Sequence, residues 1–159
     1  MKILKELLPY IIIIVVVILI RTFIATPVIV DGTSMNKTLN NNDVVILCKV
    51  CSINRDSIVV LNEELDQERI IKRIIALPGE TIEIKDGIIY VNDKKYNDIY
   101  AYGDTSDYAK RTLRDDEYFI LGDNRLISKD SRYFGPVKKE SIVGTAIYRI
   151  YPLTKIGSV

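Results

Sequence analysis

From Leu7 to Ile20 the chain carries no charged side chain and little besides isoleucine, valine and leucine. That run limits the fold more than any other stretch. Together with Thr22 to Ala25 it approaches the ~20 residues a helix needs to cross a hydrocarbon core at ~1.5 Å per residue. Pro9 falls in the first turns, where it harms a helix least, and Arg21 near the far end can snorkel to the interface. A cleaved leader and an uncleaved anchor both begin this way. Cleavage asks for small residues at −1 and −3, but a cut after Ala25 puts Phe23 at −3, and a cut after Thr26 puts Ile24 there with Pro27 following. The reading is an uncleaved anchor over residues 1–26. Lys2 and Lys5 before the span, against Arg21 after it, lean the positive-inside rule towards a cytoplasmic N-terminus with residues 27–159 outside.

The chain of 159 residues is long enough for one domain with a sizeable core, and its 48% hydrophobic residues argue against disorder. Charge is balanced, 22 basic against 21 acidic residues, so nothing drives nucleic-acid binding. The chain has no histidine. A Ser-His-Asp triad, a Cys-His dyad and histidine-ligated metal sites are all excluded, and acid-base chemistry near neutrality falls to a perturbed lysine, cysteine or carboxylate.

One lysine stands out. The stretch from Arg69 to Gly79 is an apolar run carrying two internal cations and closed by Pro78-Gly79, which reads as a buried β-strand. Alternation places Lys72 with Ile70 and Ile74, and Arg73 with Ile71 and Ile75. Desolvation disfavours an ammonium, which is how a lysine becomes a general base near neutrality. The plainer alternative is a lysine snorkelling from a strand edge.

A lysine base needs a nucleophile to serve. Val28 to Val30 reads as a strand, followed by Asp31-Gly32-Thr33-Ser34-Met35-Asn36-Lys37-Thr38-Leu39 and a polar turn at Asn40 to Asp43. By itself Ser34 is an ordinary turn serine; beside Lys72 it becomes a candidate nucleophile, because a hydroxyl is weak until a base removes its proton. Asp43 to Lys49 and Ser57 to Asn62 read as further strands. Between them, Cys48 and Cys51 fall short of a zinc site and lack the βαβ setting of a redox motif, leaving a local disulfide or two free thiols. Glu63 to Glu68 reads as a charged, solvated connection. Asp86-Gly87 between Thr81–Lys85 and Ile88–Val91 signals a hairpin. Asn97 to Asp116 has no clean period and reads as a long surface loop, and Glu117 to Leu121 resumes strand character.

After that strand, Gly122 to Gly135 is dense in polar groups: Asp130 and Arg132 can form a fixed ion pair, and Ser128 can orient a neutral lysine amine. Three boxes now stand in order behind one anchor. They are Gly32-x-Ser34-Met35-x-x-Thr38-Leu39, Lys72-Arg73 ending in Pro78-Gly79, and Gly122-Asp123-Asn124-Arg125-x-x-Ser128-x-Asp130-Ser131-Arg132. This succession resembles the type I signal peptidases, from the anchor to Val143-Gly144-Thr145-Ala146.

The resemblance implies a mainly β fold: an antiparallel, barrel-like catalytic domain over residues 27–159, preceded by one transmembrane helix. It implies Ser34 as nucleophile, Lys72 as general base and Ser128 as the residue positioning Lys72. Asp130 and Arg132 would be a structural pair and the Ser34 backbone N–H the main oxyanion donor. Gly32 stands where one branch carries a second oxyanion hydroxyl, so the chain is similar to the Gram-positive-like branch, which lacks that hydroxyl and a large inserted domain. Val28, Val30, Met35, Leu39, Ile70 and Ile71 match positions lining shallow −1 and −3 sites, consistent with Ala-x-Ala specificity. The implied partners are signal peptides of preproteins and the lipid bilayer, with no metal or organic cofactor. Two residues depart from the family pattern. Lys37 replaces a usual proline, leaving the turn less rigid and adding a cation near Ser34, and Ala76 replaces a frequent glycine. Two rivals compete: a self-cleaving repressor-type Ser-Lys peptidase, which should carry a soluble DNA-binding domain instead of residues 1–26, and a membrane-anchored chaperone or pilus-assembly module in which Ser34 and Lys72 are incidental.

Overall fold

The computed structural model describes residues 2–62 and 69–159, and side chains from Glu6 onward; the charged connection expected at 63–68 lies outside the described residues. The apolar run is helical, as α1 (Lys2–Leu19) followed by a π-helical turn (Ile20–Ile24). The stretch Glu6–Ile24 has a mean hydropathy of 2.8 and is long and apolar enough to cross a membrane. Its side chains project away from the rest of the protein, as lipid-facing residues do.

The rest is antiparallel β structure. The strands are β1 (Ala25–Ile29), β2 (Val44–Cys48), β3 (Ile58–Asn62), β4 (Arg69–Ala76), β5 (Thr81–Lys85), β6 (Ile88–Val91), β7 (Lys94–Lys95), β8 (Tyr108–Thr112) and β9 (Glu117–Leu121). A one-turn helix α2 (Ser131–Phe134) precedes β10 (Val137–Lys138), β11 (Ile142–Tyr151) and β12 (Gly157–Ser158). The larger sheet runs β1-β2-β11-β3-β4-β9-β10, with β12 paired to β11, and the smaller runs β7-β6-β5-β8. β11 therefore inserts between β2 and β3, so the end of the domain closes over its beginning.

Alternation along β3 sorts the core. Ile58 and Val60 face a cluster with Val30, Met35, Leu39, Val45, Leu47 and Ile71, while Val59 and Leu61 face another with Ile74, Tyr118 and Ile120. β4 obeys the same rule until a register shift between Ile74 and Ala76 turns Ile75 and Ala76 towards a third cluster. There they meet Ile82, Ile84, Ile89 and Val91 of the smaller sheet. The Asp86-Gly87 hairpin joins β5 to β6 as the dipeptide predicts, with both residues at positive φ.

The reading of 97–116 as one long loop needs correction, because β8 lies inside it, pairing Tyr108 to Thr112 against β5. Most of β8 is solvent-exposed, so an edge strand built on Ala109, Lys110 and Arg111 shows no apolar period. It is held instead by Tyr108, whose ring meets Phe119 edge-on at 4.8 Å between centroids, and by the buried Leu113 that follows.

Candidate active site

The turn after β1 is fixed by its own apolar residues. Met35 and Leu39 are fully buried and pin 33–39 onto the face of the larger sheet. Thr38 N and Leu39 N both bond Met35 O, and Asn36 N bonds Thr33 O. Ser34, between Thr33 and buried Met35, is half-buried. Lys72 occupies the middle of β4, opposite Val59 in register, with only 4% of its surface exposed. Its Nζ donates to Ser34 Oγ at 2.9 Å. Two residues far apart in the chain thus meet at hydrogen-bond distance between a buried amine and a hydroxyl, the arrangement that lets an amine take a proton from an alcohol.

Neighbouring contacts hold both partners. Arg73, the residue after Lys72, bonds Asp123 bidentately, Nε to Oδ1 at 2.8 Å and Nη2 to Oδ2 at 2.7 Å. Asp123 also accepts from Thr38 Oγ1 at 2.5 Å, Arg73 Nη1 donates to Asp56 O at 2.8 Å, and the Tyr100 ring stacks on the guanidinium at 3.6 Å. One ion pair therefore ties the lysine strand, the serine turn and the 122–125 loop together. The serine is held directly as well, since Asn124 N donates to Ser34 O at 2.9 Å. Asp56 in turn accepts from the Tyr96 hydroxyl. Burial first, then that hydrogen bond, push the Tyr96 hydroxyl well above the usual phenol range, so it stays a donor at neutral pH.

Asp130 and Arg132 form a second bidentate pair at 2.8 and 2.9 Å. Asp130 also caps α2 and accepts from Gly122 N at 3.0 Å, which locks the loop carrying Ser128. Ser128 Oγ is buried with no hydrogen-bond partner among the described residues. It lies against Gly122, where an added Cβ would fall 2.2 Å from Ser128 Oγ and 2.7 Å from Ser34 O. Glycine at 122 is what lets these two serine segments approach. Gly32 is exposed at φ +87° and donates its N–H to Asn41 Oδ1.

Of the six expected pocket residues, Val28, Val30, Met35, Leu39 and Ile71 belong to one cluster and Ile70 to the opposite one. Lys37 sits in the serine turn with a backbone conformation of its own. Its φ is +80°, which proline cannot adopt, and its Nζ sits 4.4 Å from the Tyr102 ring centroid.

The family described as signal peptidase, peptidase S26, matches residues 3–151. The chain belongs to that family. It is 36% identical to signal peptidase I of Bacillus amyloliquefaciens, over 92% of this chain and 86% of that one. It is 30% identical to signal peptidase I of Streptococcus pneumoniae, over 98% and 96%. A crystal structure of a signal peptidase I from Enterococcus faecalis is 32% identical, with a TM-score of 0.54, covering 60% of this chain and 97% of that one. As a member of the S26 family the chain is a serine endopeptidase, and its mainly antiparallel β fold behind one apolar helix is the family's.

Sequence reasoning missed the Arg73–Asp123 pair, Thr38 and Asn124 as supports, and the strap 97–105. That strap is fastened by Tyr102 N to Asp123 O, Arg125 N to Tyr102 O and the Arg125–Asp98 ion pair. A signal existed for the first: an arginine inside an apolar strand requires a buried anion, and Asp123 lies two residues after the end of another apolar strand.

Proposed function

We propose that the chain is a membrane-anchored enzyme that removes N-terminal signal peptides from exported preproteins, with Ser34 as nucleophile and Lys72 as general base. The observation that carries this reading is the 2.9 Å contact between Lys72 Nζ and Ser34 Oγ at a lysine buried in mid-sheet. A neutral Lys72 amine takes the Ser34 proton as Oγ attacks the scissile carbonyl, and the ammonium then protonates the departing amine. An acyl-enzyme on Ser34 remains. Lys72, neutral again, removes a proton from water, which attacks the ester, and the ammonium returns that proton to Ser34 Oγ as the ester bond breaks and the signal peptide's new carboxyl terminus is released. The Ser34 N–H stabilises the developing oxyanion. We assign the orienting of the amine during the reaction to Ser128, whose buried hydroxyl makes no hydrogen bond among the described residues, and the Asp130–Arg132 pair holds its loop. Val28, Val30, Met35, Leu39 and Ile71 form the walls that admit alanine-sized −1 and −3 side chains, and Ile70, which packs in the opposite cluster, is not one of them.

Residues 1–26 act as anchor and 27–159 as the catalytic unit, with the N-terminus cytoplasmic and the active site at the outer interface. Holding enzyme and substrate in one bilayer raises their effective concentration, which offsets weak recognition of two small side chains. The test is cleavage of a preprotein with an Ala-x-Ala site by detergent-solubilised protein from about pH 6 to 10, beside Ser34→Ala and Lys72→Ala. Wild type should cut after the −1 alanine with a rate that rises with pH as the amine loses its proton, and each variant should lose ~10⁴-fold or more. Variants that cut like wild type would sink the dyad.

A further inference from the structure

The apolar helix passes into the catalytic sheet without a linker. Ala25 closes the π-helical turn, its N–H bonded to Ile20 O, and is also the first residue of β1, opposite Cys48. The last carbonyls of a helix have no partner within it, and a cation suits both those oxygens and the negative end of the helix dipole. Lys49, just past the end of the neighbouring strand β2, supplies it. Lys49 Nζ donates to Arg21 O at 3.1 Å and Thr22 O at 2.8 Å, and Lys49 N donates to Ile24 O at 2.8 Å.

Lys49 is itself held on both sides. Cys48 and Cys51 are joined by a disulfide with their Cα atoms 5.6 Å apart, so the free-thiol alternative does not apply and the turn bearing Lys49 is a closed ring. Beneath it, Gly144 of β11 packs so closely that an added Cβ would sit 2.6 Å from Cys48 O. The cation gripping the helix end is therefore mounted on a cross-linked turn seated on the central sheet. It does not extend from a mobile loop.

We propose that Lys49, braced by the Cys48–Cys51 disulfide, is a positioning residue: it fixes the angle at which the membrane helix leaves the sheet, and with it the height of Ser34 above the bilayer. The inference rests on the function proposed above. A preprotein held in the same bilayer presents its scissile bond at one depth, and a misplacement of ~1 Å costs about 100-fold in a reaction that depends on alignment. A soluble peptide diffuses to the site and is indifferent to that height. Lys49 thus acts on one substrate class and leaves the other alone, which a general stabilising role does not do.

The experiment uses full-length protein in lipid vesicles with a co-reconstituted preprotein and, separately, a soluble peptide spanning the same site. Lys49→Met keeps the aliphatic stem and removes the donor. It should slow preprotein cleavage about 10-fold or spread it over neighbouring bonds, with peptide kcat/KM within twofold of wild type. Lys49→Arg should restore the preprotein rate, and Cys51→Ser should act in the same direction as Lys49→Met but more weakly. Hydrogen exchange at the amides of 20–26 should quicken in Lys49→Met, a readout independent of catalysis. An unchanged preprotein rate and cut site in Lys49→Met overturns the proposal whatever the exchange shows, as does an equal loss on both substrates. Wild type that cuts neither substrate overturns the peptidase reading, a different result.

Discussion

Replacing Arg73 with methionine should be among the most damaging changes available outside the Ser34 and Lys72 pair. Arg73 and Asp123 have side chains only 3% and 1% exposed. Removing the guanidinium would leave a desolvated carboxylate with Thr38 as its remaining partner and strip the donor from Asp56 O. Breaking a buried pair by deleting one member costs about 3–5 kcal/mol, against a total stability of about 5–15 kcal/mol for a domain. At ~2.1 cal/mol/K per residue, a domain over 27–159 unfolds with an entropy of about 0.28 kcal/mol/K, so the loss should lower Tm by about 11–18 °C. Thermal unfolding followed by circular dichroism in detergent reads this directly. Asp123→Leu should fall in the same range, because it strands the arginine instead.

The double variant Arg73→Met, Asp123→Leu decides whether the reasoning is right. With both charges gone nothing buried is left uncompensated, and the pair should be more stable than either single variant, with a coupling of several kcal/mol. Its folded form should still lose activity, since the tie between β4 and the 34–38 turn is cut. Single variants that cost under ~1 kcal/mol, or a double that costs the sum of the two, would refute the claim that this pair organises the site.

Three other expectations follow from local geometry. The Glu117 carboxylate is held below the usual range by the Arg114 backbone N–H first and by the charges of Arg111 and Arg114, against the opposing effect of burial. Its contribution is complete above the unfolded-state value of about 4.3 and is lost as pH falls through the depressed folded value; the urea midpoint of wild type should therefore drop in acid more than that of Glu117→Gln, and parallel curves would contradict it. Gly122→Ala puts a methyl group 2.2 Å from Ser128 Oγ and 2.7 Å from Ser34 O, so kcat/KM should fall about 100-fold with about 1–3 kcal/mol of strain; wild-type rates would show that the two loops yield freely. Ser128→Ala removes a buried hydroxyl that has no hydrogen-bond partner among the described residues, and a group of that kind costs about 1–3 kcal/mol to bury. Urea unfolding should show unchanged or raised stability while peptide cleavage falls, and full activity would end its assignment as the residue orienting Lys72.

How much of this was legible in the sequence depends on the distance over which each feature is determined. Strands β4, β5, β6 and β9 announce themselves by apolar runs and turn dipeptides, because burial on a sheet face and a positive-φ turn are decided by the residues themselves. β8 does not, since its exposed Ala109 to Thr112 are organised by what they pair with. Ser34 and Lys72 could be named as chemically able, but their meeting depends on β11 slotting between β2 and β3, a pairing no local pattern encodes. The disulfide is not legible for the same reason: two cysteines three apart can pair or not, and the turn at 48–51 decides.

The residues hardest to foresee share one property, which is that each belongs to a polar contact whose two ends are far apart in the chain. Tyr102 is a tyrosine in an aperiodic loop until its N–H meets Asp123 O and its ring meets Lys37. Arg125 is one more cation after a strand until Asp98 and Thr105 converge on it. Apolar burial needs only a face, so many sequences satisfy it and its pattern is periodic. A buried ion or amide needs one particular partner at one distance, because leaving it unpaired costs more than the hydrogen bond is worth. That asymmetry explains why such groups leave no period in the sequence and yet fix the loops around Ser34 more tightly than the core beneath can. Met35 and Leu39 hold the serine turn to the sheet, but an apolar contact tolerates sliding. It is Asn124 on Ser34 O, and Asp123 shared between Thr38 and Arg73, that set the serine's distance from Lys72.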